Sequence, residues 1–130
     1  MIKQWQHPAG WSIAIRVENG MPPVYQQLVD QICYHVASGN LKAGEKLPTV
    51  RDLASALGIN FNTVARAYHE LSRSGLMVGR KGGGSSVSEK PSISGEAKKE
   101  KVRELFQRFV AEAASHGITL EELKKQLQKD

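Results

Sequence analysis

Two short amphipathic segments separated by one turn constrain the fold of this 130-residue chain more than any other feature. Thr49 is placed to cap the first segment, and Gly58 supplies the left-handed residue that ends it. The second segment follows at once, with Asn60 or Asn62 as its cap, and it ends at Gly75. Two helices joined by a short turn that contains Gly form a helix-turn-helix. The sequence therefore predicts this motif here.

One longer helix is predicted ahead of the motif, opened by Pro22-Pro23 and stopped by Gly39-Asn40. Its apolar residues recur at helical spacing, so they form one stripe that is expected to be buried. The stripe consists of Tyr25, Leu28, Val29, Ile32, Cys33 and Val36. Before this helix, residues 1–11 are expected to be irregular, and residues 13–17 are expected to form a short strand or an extended arm.

After Gly75 the pattern changes from helical to β-prone. Two short pieces, Leu76–Gly79 and Ser85–Ser88, flank Arg80, Lys81 and three glycines. This arrangement predicts a hairpin with a basic, flexible tip. The glycines do not form a P-loop, because the Lys-Ser/Thr pair of that motif is missing. They suit instead a tip whose backbone approaches a nucleic-acid backbone, since no side chain intervenes.

The last third of the chain carries a second long helical stripe, which continues to Ala113, and then a short helix capped by Thr119 with Glu122. Two helices cannot bury this much apolar surface by themselves, so a partner protomer is expected to cover it. Packing against the first domain of the same chain remains the alternative. The residues predicted to form the dimer interface are Val102, Leu105, Phe106, Phe109, Val110, Leu120, Leu123 and Leu127.

Charge and composition narrow the class of function. The net charge is +5, and residues 1–90 hold ten basic and six acidic side chains, so a polyanion is expected to bind there. A single cysteine excludes an internal disulfide framework and a cysteine-based zinc cage. No nucleophile–base arrangement or carboxylate pair is evident, so we expect no enzymatic activity, cofactor or metal. The first eleven residues lack signal-peptide features, and we expect a cytoplasmic protein.

The second helix of the motif has the character of a DNA-reading helix. Its inward face is predicted to be Val64, Ala67, Tyr68 and Leu71. Side chains able to donate to base edges and phosphates are Asn60, Asn62, Thr63 and Arg66. The alternative is that the Asn residues only cap a helix and that Arg66 is solvated surface. Arg51, Arg80 and Lys81 add positive charge around the same unit, which favours DNA binding.

The segment LPTVRDLASALGINFNTVARAYHELSRSGLMVGRKGGGSSV resembles the winged helix-turn-helix domain of the GntR transcription regulators, over about residues 22–88. The resemblance is carried by an LP[ST]xRxLA motif, an N-T-V recognition helix and a glycine-rich wing. The RAY sequence at 66–68 and the short C-terminal part resemble the YtrA subfamily. This resemblance implies a dimeric bacterial regulator, often a repressor of a transporter operon. For a twofold dimer we expect an inverted-repeat operator.

The resemblance also assigns DNA contacts. They fall on Arg51, Asn60, Phe61, Asn62, Thr63, Ala65 and the wing residues Arg80, Lys81, Gly82 and Gly83. Phe61 and Ala65 depart from the family pattern, because relatives often carry polar or basic side chains there. Neither residue can hydrogen-bond a base, although Phe61 is suited to contact a thymine methyl. The wing also lacks one positive charge at Gly83. The operator sequence therefore stays open.

These patterns predict a mainly α fold with a small β-hairpin wing (α+β), in four segments. Residues 1–21 are an N-terminal arm, and residues 22–88 are the winged helix-turn-helix domain. Residues 89–96 are a linker, and residues 97–130 are a helical dimerisation segment. Two other functions remain open at this point, a winged-helix protein-interaction module and a non-specific architectural DNA-binding protein.

Overall fold

A computed structural model describes residues 2–80, 84–89 and 95–129. Its helices are α1 Val24–Ala37, α2 Val50–Leu57, α3 Phe61–Arg73, α4 Gly95–Ser115 and α5 Leu120–Gln128. Its strands are β1 Ile2–Gln6, β2 Ser12–Arg16, β3 Lys46–Leu47, β4 Met77–Gly79 and β5 Ser85–Val87. The chain divides into two compact units, the first with β1–β5 and α1–α3 and the second with α4 and α5.

The helix-turn-helix forms as predicted. The Thr49 hydroxyl accepts a hydrogen bond from the Asp52 backbone N–H at 3.0 Å, which caps α2. Gly58 ends α2 with φ +65°, a conformation that a side chain disfavours. Asn60 then caps α3. Together with the β4–β5 hairpin, these helices confirm the predicted fold class.

The hairpin belongs to a three-stranded antiparallel sheet in which β5 lies between β3 and β4. Strand β3 was not anticipated, because two residues are too few to show a pattern. Tyr68 of α3 donates its hydroxyl to the Pro48 carbonyl at 2.6 Å, next to this strand, and burial raises the pKa of the phenol. The core beneath the sheet and helices includes Ile13, Ile15, Leu28, Ile32, Leu53, Leu57, Val64, Leu71, Met77 and Val87.

The expectation that residues 1–11 are irregular was wrong. Residues 2–6 form β1, which pairs antiparallel with β2 so that Trp5 lies opposite Ile13. The strand has no apolar alternation to reveal it, because Ile2 is exposed while Lys3 and Trp5 face inward. The Lys3 ammonium donates to the Gly58 carbonyl at 2.7 Å. This hydrogen bond connects the β1–β2 hairpin to the turn of the helix-turn-helix. The N-terminal arm is therefore packed on the same unit as the helix-turn-helix.

Two glutamines of α1 close the other edge of β2. Gln31 accepts from the Ala14 N–H at 2.8 Å and donates to the Ala14 carbonyl at 2.6 Å. Gln27 does the same for Arg16, with both distances 2.9 Å. The side-chain amides thus take the place of a neighbouring strand, which satisfies backbone groups that would otherwise lose their partners on burial.

This contact also corrects the predicted inward face of α1. Leu28 and Ile32 are buried as expected, but Cys33 is exposed, while Gln27 and His35 are buried. The buried face of α1 is rotated away from Cys33 and toward Gln27, because β2 lies along that side and its backbone groups require hydrogen-bond partners. Partial desolvation, followed by the charge of the nearby Asp30, raises the pKa of the Cys33 thiol.

Replacing Gln27 tests this edge. We expect Gln27→Leu to lower the free energy of unfolding by about 1–3 kcal/mol, because the N–H and carbonyl of Arg16 lose their partner. Gln26→Leu on the same helix removes only a surface hydrogen bond to Asp30 and should change stability by less than about 0.5 kcal/mol. Urea denaturation measures both. Equal effects of the two substitutions would show that the hydrogen bonds from Gln27 to Arg16 do not stabilise the β1–β2 hairpin.

The second unit contains the predicted tail helices. The Thr119–Glu122 capping box is present, with the Glu122 N–H donating to the Thr119 hydroxyl at 3.2 Å. Among the residues described in this unit, only Ala113 is buried. Over the described parts of the whole chain, no helix combines the length and apolar character needed to cross a bilayer.

Candidate nucleic-acid interface

The N-terminal end of α2 presents a free cation. Arg51 is the second residue of the helix, and it is exposed on the side away from the buried Leu53, Ala54 and Leu57. The sequence allowed a surface ion pair between Arg51 and Asp52 or Glu45. Over residues 2–80, 84–89 and 95–129, Arg51 has neither a hydrogen bond nor a salt bridge. Its guanidinium is therefore available to a ligand.

Helix α3 separates an apolar face from a polar one. Val64, Ala67, Tyr68 and Leu71 are buried, which confirms the predicted inward face. The opposite face carries four exposed residues at helical spacing: Asn62, Arg66, His69 and Arg73. Sequence reasoning missed His69 and Arg73 on this face, although counting helical turns outward from Asn62 would have found them.

The two asparagines at the start of α3 have different roles. The Asn60 side-chain oxygen accepts from the Asn62 backbone N–H at 2.7 Å, so it is occupied by the helix cap. The Asn62 side chain is exposed and has no hydrogen bond within the described parts of the chain. An asparagine amide with both groups free is the kind that pairs with adenine in the major groove. Thr63, the next residue, is half-buried.

Phe61 and Ala65 differ in how far they are accessible. Phe61 is the first residue of α3, and its side chain is 51% exposed despite being apolar. Ala65 is half-buried. An apolar ring at the end of a helix whose outward face is otherwise polar offers a contact to a methyl group rather than to a hydrogen-bonding edge.

Arg66 is held by a neighbouring helix. The carbon at the centre of its guanidinium lies 3.7 Å from the centroid of the Tyr25 ring on α1. Arg73, two turns further along α3, is bound instead to Glu70 at 3.0 Å. That hydrogen bond is the largest of several effects that lower the pKa of the Glu70 carboxyl.

The described part of the wing presents Arg80 at the end of β4. Arg80 is exposed, and its backbone N–H donates to the Gly84 carbonyl at 3.0 Å, just beyond the paired residues of β4 and β5. The predicted contacts at Lys81, Gly82 and Gly83 lie outside the described residues. The structure thus brings Arg51, Asn62 and Arg80 into one unit with α3, where each is exposed.

The predicted dimer residues lie in the second unit, on α4 and α5. Val102, Leu105, Phe106, Phe109, Leu120 and Leu127 are exposed, whereas Val110 and Leu123 are half-buried. Exposure of both Phe106 and Phe109 leaves an apolar face on α4 without a cover from its own unit. Among the described residues of the chain, no group of three or more His, Cys, Asp or Glu side chains could hold a metal ion.

The family model "Bacterial regulatory proteins, gntR family" matches residues 24–87. YhcF of Bacillus subtilis, an uncharacterised HTH-type transcriptional regulator, is 39% identical over 78% of this chain and 84% of its own length. YtrA of the same organism, an HTH-type transcriptional repressor, is 35% identical over 78% of both chains.

Solved structures show the same fold. A GntR family transcriptional regulator from Listeria monocytogenes aligns with a TM-score of 0.62 and 28% identity, over 88% of this chain and 99% of that one. AraR(DBD) in complex with operator ORX1 aligns with a TM-score of 0.50 and 26% identity, over 65% of this chain and 92% of that one.

Proposed function

The chain belongs to the GntR family of bacterial regulatory proteins, and from this premise we propose that it binds an operator sequence as a homodimer and represses transcription. The observation that carries the proposal is the exposed polar face of α3, opposite its buried face. Such a helix fits the major groove, where its N-terminal residues reach base edges. The related AraR(DBD), which was solved in complex with an operator, supports DNA as the ligand.

The exposed side chains make different kinds of contact with the DNA in this proposal. Asn62, with its amide free, pairs with a base and reads adenine most readily. Arg51 at the start of α2 and Arg80 on the wing bind phosphate or guanine on either side of the groove contact. Asn60 contributes by capping α3, and its remaining N–H donors face solvent. Phe61 adds an apolar contact at the tip of the helix.

A second copy of the chain covers the apolar face of α4 and α5 in this proposal. Arg103 pairs with Glu100 at 2.7 Å and Arg108 with Glu104 at 3.0 Å, so charges beside the apolar face are satisfied within α4. What remains for a partner is chiefly apolar. Closed twofold symmetry is the default for such contacts, and a twofold dimer reads an inverted repeat.

Repression follows from occupancy, because a dimer bound at a promoter excludes polymerase. The similar YtrA of Bacillus subtilis is named a repressor, which supports this sign of regulation. The resemblance to the YtrA subfamily favours a transporter operon as the target. Binding to chromosomal DNA would place the protein in the cytoplasm.

Selection of bound fragments from the host genome tests the proposal. We expect the purified chain to enrich a small set of fragments that share an inverted repeat, with half-sites about one helical turn apart. Retention of DNA without enrichment would favour an architectural binder. Protein complexes that survive nuclease and high salt, with no DNA retained, would favour a protein-interaction module. Either result contradicts the proposed function.

The exposed Phe61 ring gives a prediction about the bases that are read. Replacing the thymine that faces Phe61 with deoxyuridine removes one methyl group, which is worth about 0.8 kcal/mol or roughly fourfold in affinity per half-site. A fluorescence anisotropy titration of deoxyuridine-substituted operators should locate one such thymine in each half-site. Phe61→Ala should bind more weakly and lose the difference between thymine and deoxyuridine. A Phe61→Ala variant that still distinguishes them would place the methyl contact elsewhere.

A further inference from the structure

Arg66 and Tyr25 make a contact between two helices that the sequence did not indicate. The Tyr25 ring is half-buried and packs against the core at the start of α1, so it is a fixed platform. The Arg66 guanidinium lies over this ring, 3.7 Å from its centroid, and is exposed on the outward face of α3. A guanidinium in this position is attracted by the electron-rich face of the ring.

The stacking leaves the hydrogen-bond donors of Arg66 unused. Because the central carbon lies only 3.7 Å from the ring centroid, an edge-on guanidinium would clash with the ring, so the planar group meets the ring with a face and its N–H groups lie along the free edges. Within the described residues, Arg66 makes no hydrogen bond or salt bridge. Glu70, one turn along α3, is hydrogen-bonded to Arg73 at 3.0 Å. Arg66 is thus held in place without using its donors, which remain available to a ligand.

We propose that Tyr25 is a positioning residue for DNA recognition, holding Arg66 so that its N–H donors bind a pair of acceptor atoms in the operator. This inference rests on the proposed function. The acceptor pair is O6 and N7 of a guanine or two phosphate oxygens, because both match the geometry of the guanidinium edge. Tyr25 does not touch the DNA. It acts by restricting a long side chain that would otherwise lose rotamer freedom on binding.

A set of variants of the full chain tests this role by operator affinity in fluorescence anisotropy. Tyr25→Leu keeps an apolar contact with the core and removes the ring, and should weaken binding about fivefold per half-site. Tyr25→Phe keeps the ring and should bind like the wild type. In the double variant of Tyr25→Leu with Arg66→Ala, affinity should equal that of Arg66→Ala alone. A ring that only supports the core would give additive losses in the double variant, and a Tyr25→Phe protein that binds as weakly as Tyr25→Leu would show that the ring face is not what acts. Either result would overturn the proposal.

Arg66→Lys tests the same contact by changing Arg66 in place of Tyr25. It keeps the proposal testable if Tyr25→Leu lowers the unfolding temperature. It keeps the positive charge but loses the planar face and the fork of donors. We expect Arg66→Lys to bind nearly as weakly as Arg66→Ala, and to be insensitive to Tyr25→Leu. Wild-type affinity in Arg66→Lys would show that charge alone suffices and that no positioning is needed.

Modified operators distinguish the two acceptors. If Arg66 binds a guanine, 7-deazaguanine at one position of each half-site should reproduce the loss seen in Arg66→Ala. If it binds phosphate, a methylphosphonate should do so, and Arg66→Ala should reduce the salt dependence by about one counterion per half-site. A specific wild-type complex that is unaffected by Tyr25→Leu would refute this inference alone. Absence of any specific complex would refute the proposed function and this inference with it.

Discussion

Arg51→Ala is expected to weaken operator binding at least tenfold while the protein unfolds at nearly the wild-type temperature. Arg51 is exposed and has no hydrogen bond or ion pair in the described parts of the chain, so its removal breaks no internal polar interaction. A bound guanidinium contributes about 1–3 kcal/mol per half-site, and a dimer has two half-sites. An ordinary surface arginine would contribute at most about 1 kcal/mol, and only to stability.

Arg16→Ala is the matched control for this loss. It removes the same charge from the same unit, where Arg16 is exposed and lies 3.7 Å from Glu18. We expect its operator affinity to change less than about twofold at moderate salt, since it contacts no DNA. If Arg51→Ala and Arg16→Ala weaken binding equally, the effect of Arg51 is one of net charge and the residue does not belong to the interface.

The position of the Arg51 contact follows from how the loss depends on sequence and salt. A phosphate contact gives a similar loss on every sequence and flattens the salt dependence by about one counterion per half-site. A base contact concentrates the loss at one position of the half-site. Anisotropy titrations on single-base variants of the operator, at two salt concentrations, separate the two.

The second large effect is expected in the tail. Phe109 is 53% exposed in the centre of the apolar face of α4, so Phe109→Glu places a charge where the partner protomer should pack. We expect sedimentation velocity to report a monomer. Operator affinity should fall by about 10²–10⁴, because the second half-site is no longer bound by a linked domain.

Gln107→Glu provides the control on the same helix. It adds the same charge about half a turn away from Phe109, on the exposed polar side of α4. The variant should remain dimeric and should bind the operator within about threefold of the wild type. A Phe109→Glu protein that still sediments as a dimer would contradict the proposed interface, whatever its affinity for DNA.

Much of the fold could be predicted because its helices carry their own signals. Thr49 and Thr119 cap helices through side-chain contacts with residues three positions on, and Gly58 ends α2 locally. Strand β1 carries no such signal, because it exists only through pairing with β2. The burial of Gln27 was equally hidden, since a polar residue is drawn inside only by the backbone edge that it satisfies.

The candidate site was predicted in composition but not in detail. The family resemblance and the spacing together indicated Arg51, Asn62 and Arg66, all of which the structure leaves exposed. Neither could show that Asn60 is occupied as a cap, because two asparagines only two positions apart are equally able to cap the same helix. The Tyr25 ring that Arg66 contacts belongs to α1, and hydrophobic periodicity within one helix does not predict a contact between residues so far apart in sequence. The dimer face stays a prediction.

Hydroxyl-radical footprinting of the wild-type protein on a selected genomic fragment tests the central claim most directly. A twofold dimer with α3 in the major groove should protect two symmetric patches, centred about one helical turn apart, at the two half-sites of an inverted repeat. The same complex should contain two chains per fragment by analytical ultracentrifugation. A single asymmetric patch with one chain bound, or uniform protection along the fragment, would contradict the account.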